Sequence, residues 1–192
     1  MSTITRLAVY CGSAPGGDVR FADVARATGE AMAARGIDLV YGGGKLGLMG
    51  IVADTVIAGG GRTYGVISEA LVVLEVAHTG LTELHTVAGM HERKARMTEL
   101  ADGFLVLPGG IGTLDELFEA WSWNALGYHA KPFCLVDVGG FWAKMTDFLD
   151  HAAACGFLSP ARRAQLLVAA TPEEAIEKLD EAAKTASEAM VW

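Results

Sequence analysis

The run Pro108-Gly109-Gly110-Ile111-Gly112-Thr113-Leu114-Asp115-Glu116 holds the residues best suited to chemistry in this chain. Gly109, Gly110 and Gly112 let backbone approach a ligand closely. Where such a run opens a helix, the first amides lack intrahelical acceptors and point outward. With the helix dipole they make a site for an anion, phosphate above all. Thr113 adds a hydroxyl donor. Glu116 falls about one turn into the helix. A carboxylate beside an anion site is not there to bind the anion; it is placed to act on what the anion carries. The plainer alternative is a tight turn in which Asp115 and Glu116 merely suit the helix dipole.

A second polar cluster, Met90-His91-Glu92-Arg93-Lys94-Ala95-Arg96-Met97, would by itself read as a solvated helix start. It lies, however, in the helix that feeds the strand before Pro108. Its first turns therefore stay near the binding edge, which brings Arg93, a bidentate donor, close to Glu116. Gly42, Gly44 and Gly47 match the dinucleotide fingerprint, with the acid Glu69 downstream. The match falls at the second strand rather than the first, so no nicotinamide cofactor is expected. It fails as a P-loop, because Gly44-Lys45 is followed by Leu46. Trp121 and Trp123 read as core, and Glu75 as a surface acid. His129, Cys11 and Cys134 show no catalytic partner, and Ser13 sits in no nucleophile elbow.

The elements that must position these residues alternate. Apolar runs at Leu7–Cys11, Ile37–Tyr41, Arg62–Ile67, Leu84–Val87, Phe104–Leu107 and Phe133–Val136 read as strands, with Leu166–Ala169 a possible edge strand. Between them lie helices: one ending near Arg35, one through about Ala58, His91–Ala101, one opening after Gly110, Gly140–Ala154, one starting at Ser159-Pro160, and one from Thr171-Pro172 to about Lys184. The segment 68–82 is ambiguous, and the residues from about 186 look loosely held. Alternation of this kind implies a single α/β domain over residues 1–192: a three-layer Rossmann-like fold with a mostly parallel central sheet and helices on both faces. Ligands of such sheets sit beyond the carboxyl ends of the strands. The glycine turns after Cys11, Tyr41 and Leu107 should therefore share one edge.

Composition narrows the function. The chain has 192 residues, 52% of them hydrophobic, and a formal net charge of -8, which argues against a nucleic-acid partner. No apolar run approaches a membrane span, and the N-terminus lacks the pattern of a signal peptide. Cys11, Cys134 and Cys155 form no paired framework, which favours a reduced, cytoplasmic setting. The five histidines show no metal-ligand spacing, so no metal is expected.

Three elements in order, Tyr41-Gly42-Gly43-Gly44 through Gly50, Met90-His91-x-Arg93-Lys94, and Pro108 to Glu116, resemble the LOG (Lonely Guy) family of cytokinin riboside 5′-monophosphate phosphoribohydrolases, formerly labelled lysine decarboxylases. The resemblance runs from Cys11-Gly12-Ser13 to the helix after Pro172. It implies Arg93 and Glu116 as the catalytic pair. It implies nucleotide binding by Lys94 and by Gly110, Ile111, Gly112, Thr113, Leu114 and Asp115. Gly12, Ser13, Gly43, Gly44, Met90 and Gly109 belong to the same motifs, and Glu75 and Ser122 fall where the family has a binding acid and a binding hydroxyl. Ile111, Asp115, Lys45 and Ser122 depart from the family's common residues without touching the catalytic pair. The implied activity is hydrolysis of the N-glycosidic bond of adenosine 5′-monophosphate and its N6-substituted forms, with no cofactor and in a homodimer. A non-hydrolytic AMP-binding module is the alternative. Lysine decarboxylation ranks third, because neither Lys45 nor Lys94 shows any further sign of a pyridoxal site.

Overall fold

The computed structural model describes residues 4–74 and 77–189. Seven strands form one sheet: β1 (Arg6–Tyr10), β2 (Asp38–Tyr41), β3 (Thr63–Ser68), β4 (Glu83–Val87), β5 (Gly103–Val106), β6 (Phe133–Val136) and β7 (Leu166–Ala169). Their order is β4-β3-β2-β1-β5-β6-β7, and every pairing is parallel. The helices are α1 (Val19–Ala34), α2 (Gly47–Ala58), α3 (Glu69–Leu74), α4 (Met90–Leu100), α5 (Ile111–Ala125), α6 (Ala143–Ala154), α7 (Pro160–Gln165) and α8 (Pro172–Ala189).

The uninterrupted apolar strands have a simple cause. A parallel sheet is covered on both faces, so alternate residues of one strand enter two different cores. Leu7, Val9, Leu39 and Leu105 pack beneath α1, α2 and α8. Ala8, Tyr10, Val40, Phe104 and Val106 pack on the opposite face with Met97 of α4 and Leu117 and Trp121 of α5. Trp121 is thus core, as its apolar spacing suggested. The edge strand β4 is the exception, with Glu83, Leu84 and Thr86 exposed.

Local chemistry sets the helix ends. Asp18 caps α1 by accepting from the Arg20 amide, and Ser159 caps α7 with Pro160 at its first turn. The ambiguous segment 68–82 contains the short helix α3, and α8 continues past Lys184 to Ala189. The Asp102 carboxylate ends α4's loop by accepting from the Thr5 and Arg6 amides and the Thr5 hydroxyl, tying β5's entry to the start of β1.

Strand order places the site. The chain steps outward from β1 to β4, then returns to pair β5 with the other side of β1. The loops leaving β1 and β5 therefore diverge above the sheet. That is the switch point where open α/β sheets bind ligands.

Candidate active site

A cavity of about 620 Å³ lies at this switch point. One wall is the β1 loop, Cys11 to Gly16; the facing wall is Pro108 to Thr113 with Glu116. Arg93 and Met90 of α4, Leu48 and Met49 of α2, and Leu71 of α3 close one end. Phe21 of α1 and Phe141 close the other, their rings edge to face at 5.6 Å.

The β5 turn has the form of an anion cradle. Gly110 caps α5 in an extended conformation, and the first helical bond runs from the Leu114 amide to the Gly110 carbonyl. The amides of Ile111, Gly112 and Thr113 precede that bond and so have no intrahelical acceptor, and all three residues line the cavity. The buried Thr113 side chain closes back over the turn. The Gly12 amide donates to the Pro108 carbonyl at 3.1 Å, locking the two loops together. Gly109 must be glycine: a Cβ there would overlap the Thr113 hydroxyl and stand 2.9 Å from the Gly12 nitrogen. Gly109→Ala is therefore expected to lower activity about tenfold or more through a misplaced cradle. Steady-state kinetics beside a thermal melt will separate that loss from general unfolding.

Arg93 is almost fully buried. Its Nε donates to the Val66 carbonyl at 2.9 Å and its Nη2 to the Gly42 carbonyl at 2.8 Å. Its Nη1 lies 3.9 Å from Glu116 Oε1. The guanidinium thus reaches Glu116 from a seat made by the ends of β2 and β3. The glycines of the β2 turn serve that seat. A Cβ at Gly42 would overlap the Arg93 guanidinium, and one at Gly47 (φ +60°) would overlap the Ser13 backbone. The dinucleotide-like spacing therefore reflects loop packing. Neither Gly43 nor Gly44 lines the cavity; Gly43 accepts from the His78 amide, and Gly44 bridges to Ala77.

Of the expected site residues, Gly12, Ser13, Met90, Arg93, Gly109, Gly110, Ile111, Gly112, Thr113 and Glu116 all line the cavity. Leu114, Lys94, Asp115 and Ser122 do not. Lys94 turns toward α5, 2.9 Å from Asp115 and in an ion pair with Glu119. The Ser122 hydroxyl donates to the Phe118 carbonyl at 2.6 Å, on an exposed stretch of α5. Glu75 lies outside the described residues. Sequence reasoning missed Phe21, Leu48, Met49, Leu71 and Phe141 as cavity walls. Their apolar types read equally well as core.

Burial, with the Glu116 charge second, pushes the Tyr10 phenol and the Cys11 thiol far above their ordinary pKa values. Cys11 therefore meets the cavity as a neutral thiol rather than a nucleophile.

These features define a parallel α/β domain with a phosphate-type cradle, and a carboxylate and a guanidinium beside it, at the switch point. A family model described as "Possible lysine decarboxylase" matches residues 49–179. The chain is 44% identical to the cytokinin riboside 5′-monophosphate phosphoribohydrolase LOG of Oryza sativa subsp. japonica, over 100% of this chain and 79% of that protein. It is 43% identical to the cytokinin riboside 5′-monophosphate phosphoribohydrolase of Rhodococcoides fascians, over 88% of this chain and 85% of that one. The chain belongs to this family, the LOG family. Among solved structures, the molybdenum cofactor carrier protein of Chlamydomonas reinhardtii aligns with a TM-score of 0.70 at 18% identity, covering 92% of this chain and 96% of that one. The molybdenum cofactor binding protein of Rippkaea orientalis aligns at 0.68 and 19%, covering 92% and 95%. At such identity the likeness is one of fold.

Proposed function

We propose that the protein hydrolyses the N-glycosidic bond of adenosine 5′-monophosphates, including N6-substituted ones, releasing the free base and ribose 5-phosphate. The observation that carries this reading is the placement of Glu116. It stands in the same cavity as the cradle, 3.9 Å from a buried guanidinium. The relatives named above, phosphoribohydrolases at 43–44% identity, support it.

In this reading the cradle amides and Thr113 hold the 5′-phosphate and so fix the ribose. Binding energy remote from the reacting bond becomes orientation at C1′. The bond from C1′ to the base nitrogen breaks through an oxocarbenium-like sugar. Glu116 accepts a proton from the water that attacks C1′, leaving the hydroxyl on the sugar, and the departing nitrogen gains a proton from solvent, so that Glu116's release of its own proton to solvent closes the balance. Arg93 holds the carboxylate in place and steadies charge on the nucleotide. Leu48, Met49, Leu71 and Met90 supply an apolar wall for the base. Incubating the protein with AMP and assaying for free adenine tests the reading. Binding without adenine release would leave a non-hydrolytic AMP-binding module.

The family model's description implies pyridoxal phosphate, which needs a lysine amine in the cavity. Among the described residues no lysine lines it. Lys94 is held between two carboxylates, and Lys45 is exposed in the loop before α2. The residues present do not fit that cofactor.

EDTA is expected to leave hydrolysis unchanged. Among the described residues no group of three or more His, Cys, Asp or Glu is placed to hold an ion. Activity lost to EDTA and restored by one divalent ion would reveal a metal requirement.

We also place the protein in the cytoplasm as a homodimer packed through α4 and α5. Ile111, Phe118 and Leu126 stand along one side of α5, 84%, 36% and 71% exposed, with Met90 of α4 beside the same mouth. An apolar stripe of this kind suits a self-complementary twofold contact. Sedimentation should give twice the 20.1 kDa chain mass, and Leu126→Glu should weaken association. A fully active monomer would remove the interface from the account.

A further inference from the structure

We propose that His78 is a positioning residue: clasped to Asp54 of α2, it fixes the β2 turn and through that turn the seat of Arg93. The inference rests on the hydrolase reading above and concerns how the Arg93–Glu116 pair is held in register.

His78 is only 5% exposed. A buried imidazole needs a partner for each ring nitrogen. The Gly80 amide donates to Nδ1 at 3.0 Å. That bond requires an unprotonated Nδ1, so the proton of the neutral ring sits on Nε2. Nε2 then donates to Asp54 Oδ1 at 2.9 Å. Asp54 belongs to α2, whose first turn supplies Leu48 and Met49 to the cavity wall. The ring thus ties the segment after α3 to the body of α2.

The backbone of the same segment reaches the site. The His78 amide donates to the Gly43 carbonyl at 2.9 Å, and Ala77 bridges to Gly44. The carbonyl one residue earlier, Gly42, accepts from Arg93 Nη2 at 2.8 Å. Gly42, Gly43 and Gly44 have no side chains with which to pin themselves, and Gly43 stands at φ +76°. A glycine run has the widest choice of backbone conformations, so ties from outside must select one. His78 supplies such a tie, with its ring on α2 and its amide on the turn. Farther along, the Thr63 and Thr82 amides donate to each other's hydroxyls at 3.0 and 3.3 Å, which fastens the far end of the segment to β3. A shift of the Gly42 carbonyl would carry the guanidinium with it and change its 3.9 Å separation from Glu116. Misplacement of a reacting group by about 1 Å can cost about a hundredfold in rate.

The test compares Asp54→Ala, His78→Ala, His78→Gln and the double Asp54→Ala/His78→Ala variant on AMP, with melting temperatures recorded. Asp54→Ala perturbs the fold least, because that side chain is 63% exposed and alanine suits a helix. His78→Gln keeps a donor nitrogen for Asp54 and is the conservative rescue. Asp54→Ala and His78→Ala are each expected to lower kcat about fivefold or more while KM for AMP stays within about threefold. His78→Gln should keep about half of the wild-type kcat or more. The double variant should be no worse than His78→Ala, because both changes remove one interaction. Wild-type kinetics in Asp54→Ala overturns the proposal, and so do additive losses in the double variant. A His78→Gln protein as slow as His78→Ala overturns it too, since the ring would then matter for its bulk and not for its bond to Asp54. A raised KM at unchanged kcat would make His78 a substrate contact and remove it as a positioning residue. Should His78→Ala fail to fold, Asp54→Ala and His78→Gln decide between them: a slowed first and a preserved second support the clasp, and any other pair of results removes it. The wild-type assay keeps the two readings apart. No adenine release by wild type sinks the hydrolase reading; active wild type with unaffected variants sinks only the clasp.

Discussion

Glu116→Gln is expected to lower AMP hydrolysis by about a hundredfold or more while AMP still binds. The amide keeps the size and shape of the side chain, so the cavity walls and the cradle stay in place. What goes is the negative charge and the basicity. Without the charge nothing at this position offsets an oxocarbenium-like ribose, and without the basicity no carboxylate takes the proton from water. Binding should survive because, in the proposed reading, the phosphate rests on backbone amides of α5 and on Thr113. Measuring kcat and the AMP dissociation constant side by side checks both halves. A variant that keeps most of its rate would remove Glu116 from the chemistry. A variant that no longer binds AMP would make it a ligand rather than a catalytic group.

Adenosine is expected to be a far poorer substrate than AMP, by about 10²–10⁴ in kcat/KM. That range corresponds to losing two charge-assisted hydrogen bonds at about 1.5–3 kcal/mol each. The cradle backbone is tightly packed, with Gly109 wedged against Thr113 and Gly12. Such a turn has little reason to exist unless a group with several acceptor oxygens occupies it. Much of the effect should fall on kcat, because the phosphate fixes where C1′ sits relative to Glu116. Initial rates on the two compounds at matched concentration suffice. Equal rates would show that the cradle does not anchor the substrate.

The sequence disclosed those parts of the molecule that local chemistry controls. Apolar runs marked the strands because parallel strands are buried twice, and glycine turns after three of them marked the binding edge. The glycine turn that opens α5 at the cavity was legible because a strand, close-approach glycines and a helix start leave a compact trace. The β2 turn puts a similar glycine pattern to a different use. Gly42, Gly44 and Gly47 carry nucleotide-like spacing, yet Gly42 makes room for Arg93 and Gly47 for the Ser13 backbone. Nothing local separates a glycine that admits phosphate from one that admits a guanidinium. Lys94 shows the complementary limit. Its partners Asp115 and Glu119 lie on another helix, so its neutralisation is a tertiary fact. Phe21 and Phe141 meet only because α1 and the loop after β6 converge above the sheet.

The central strand carries a consequence for how the site comes into being. β1 precedes the sheet's other strands in the chain, yet one of its two neighbours is β5, with Leu7 opposite Gly103. During synthesis the first half of the chain can pair β1 with β2 while the other edge of β1 stays open. The Gly12 amide has no Pro108 carbonyl to meet until the second half emerges. Closing so long a loop is entropically slow compared with local pairing. Ligand binding therefore arrives as a late event in biogenesis, and a fragment that stops short of residue 108 carries half of a cavity and an uncovered sheet edge of the kind that templates aggregation.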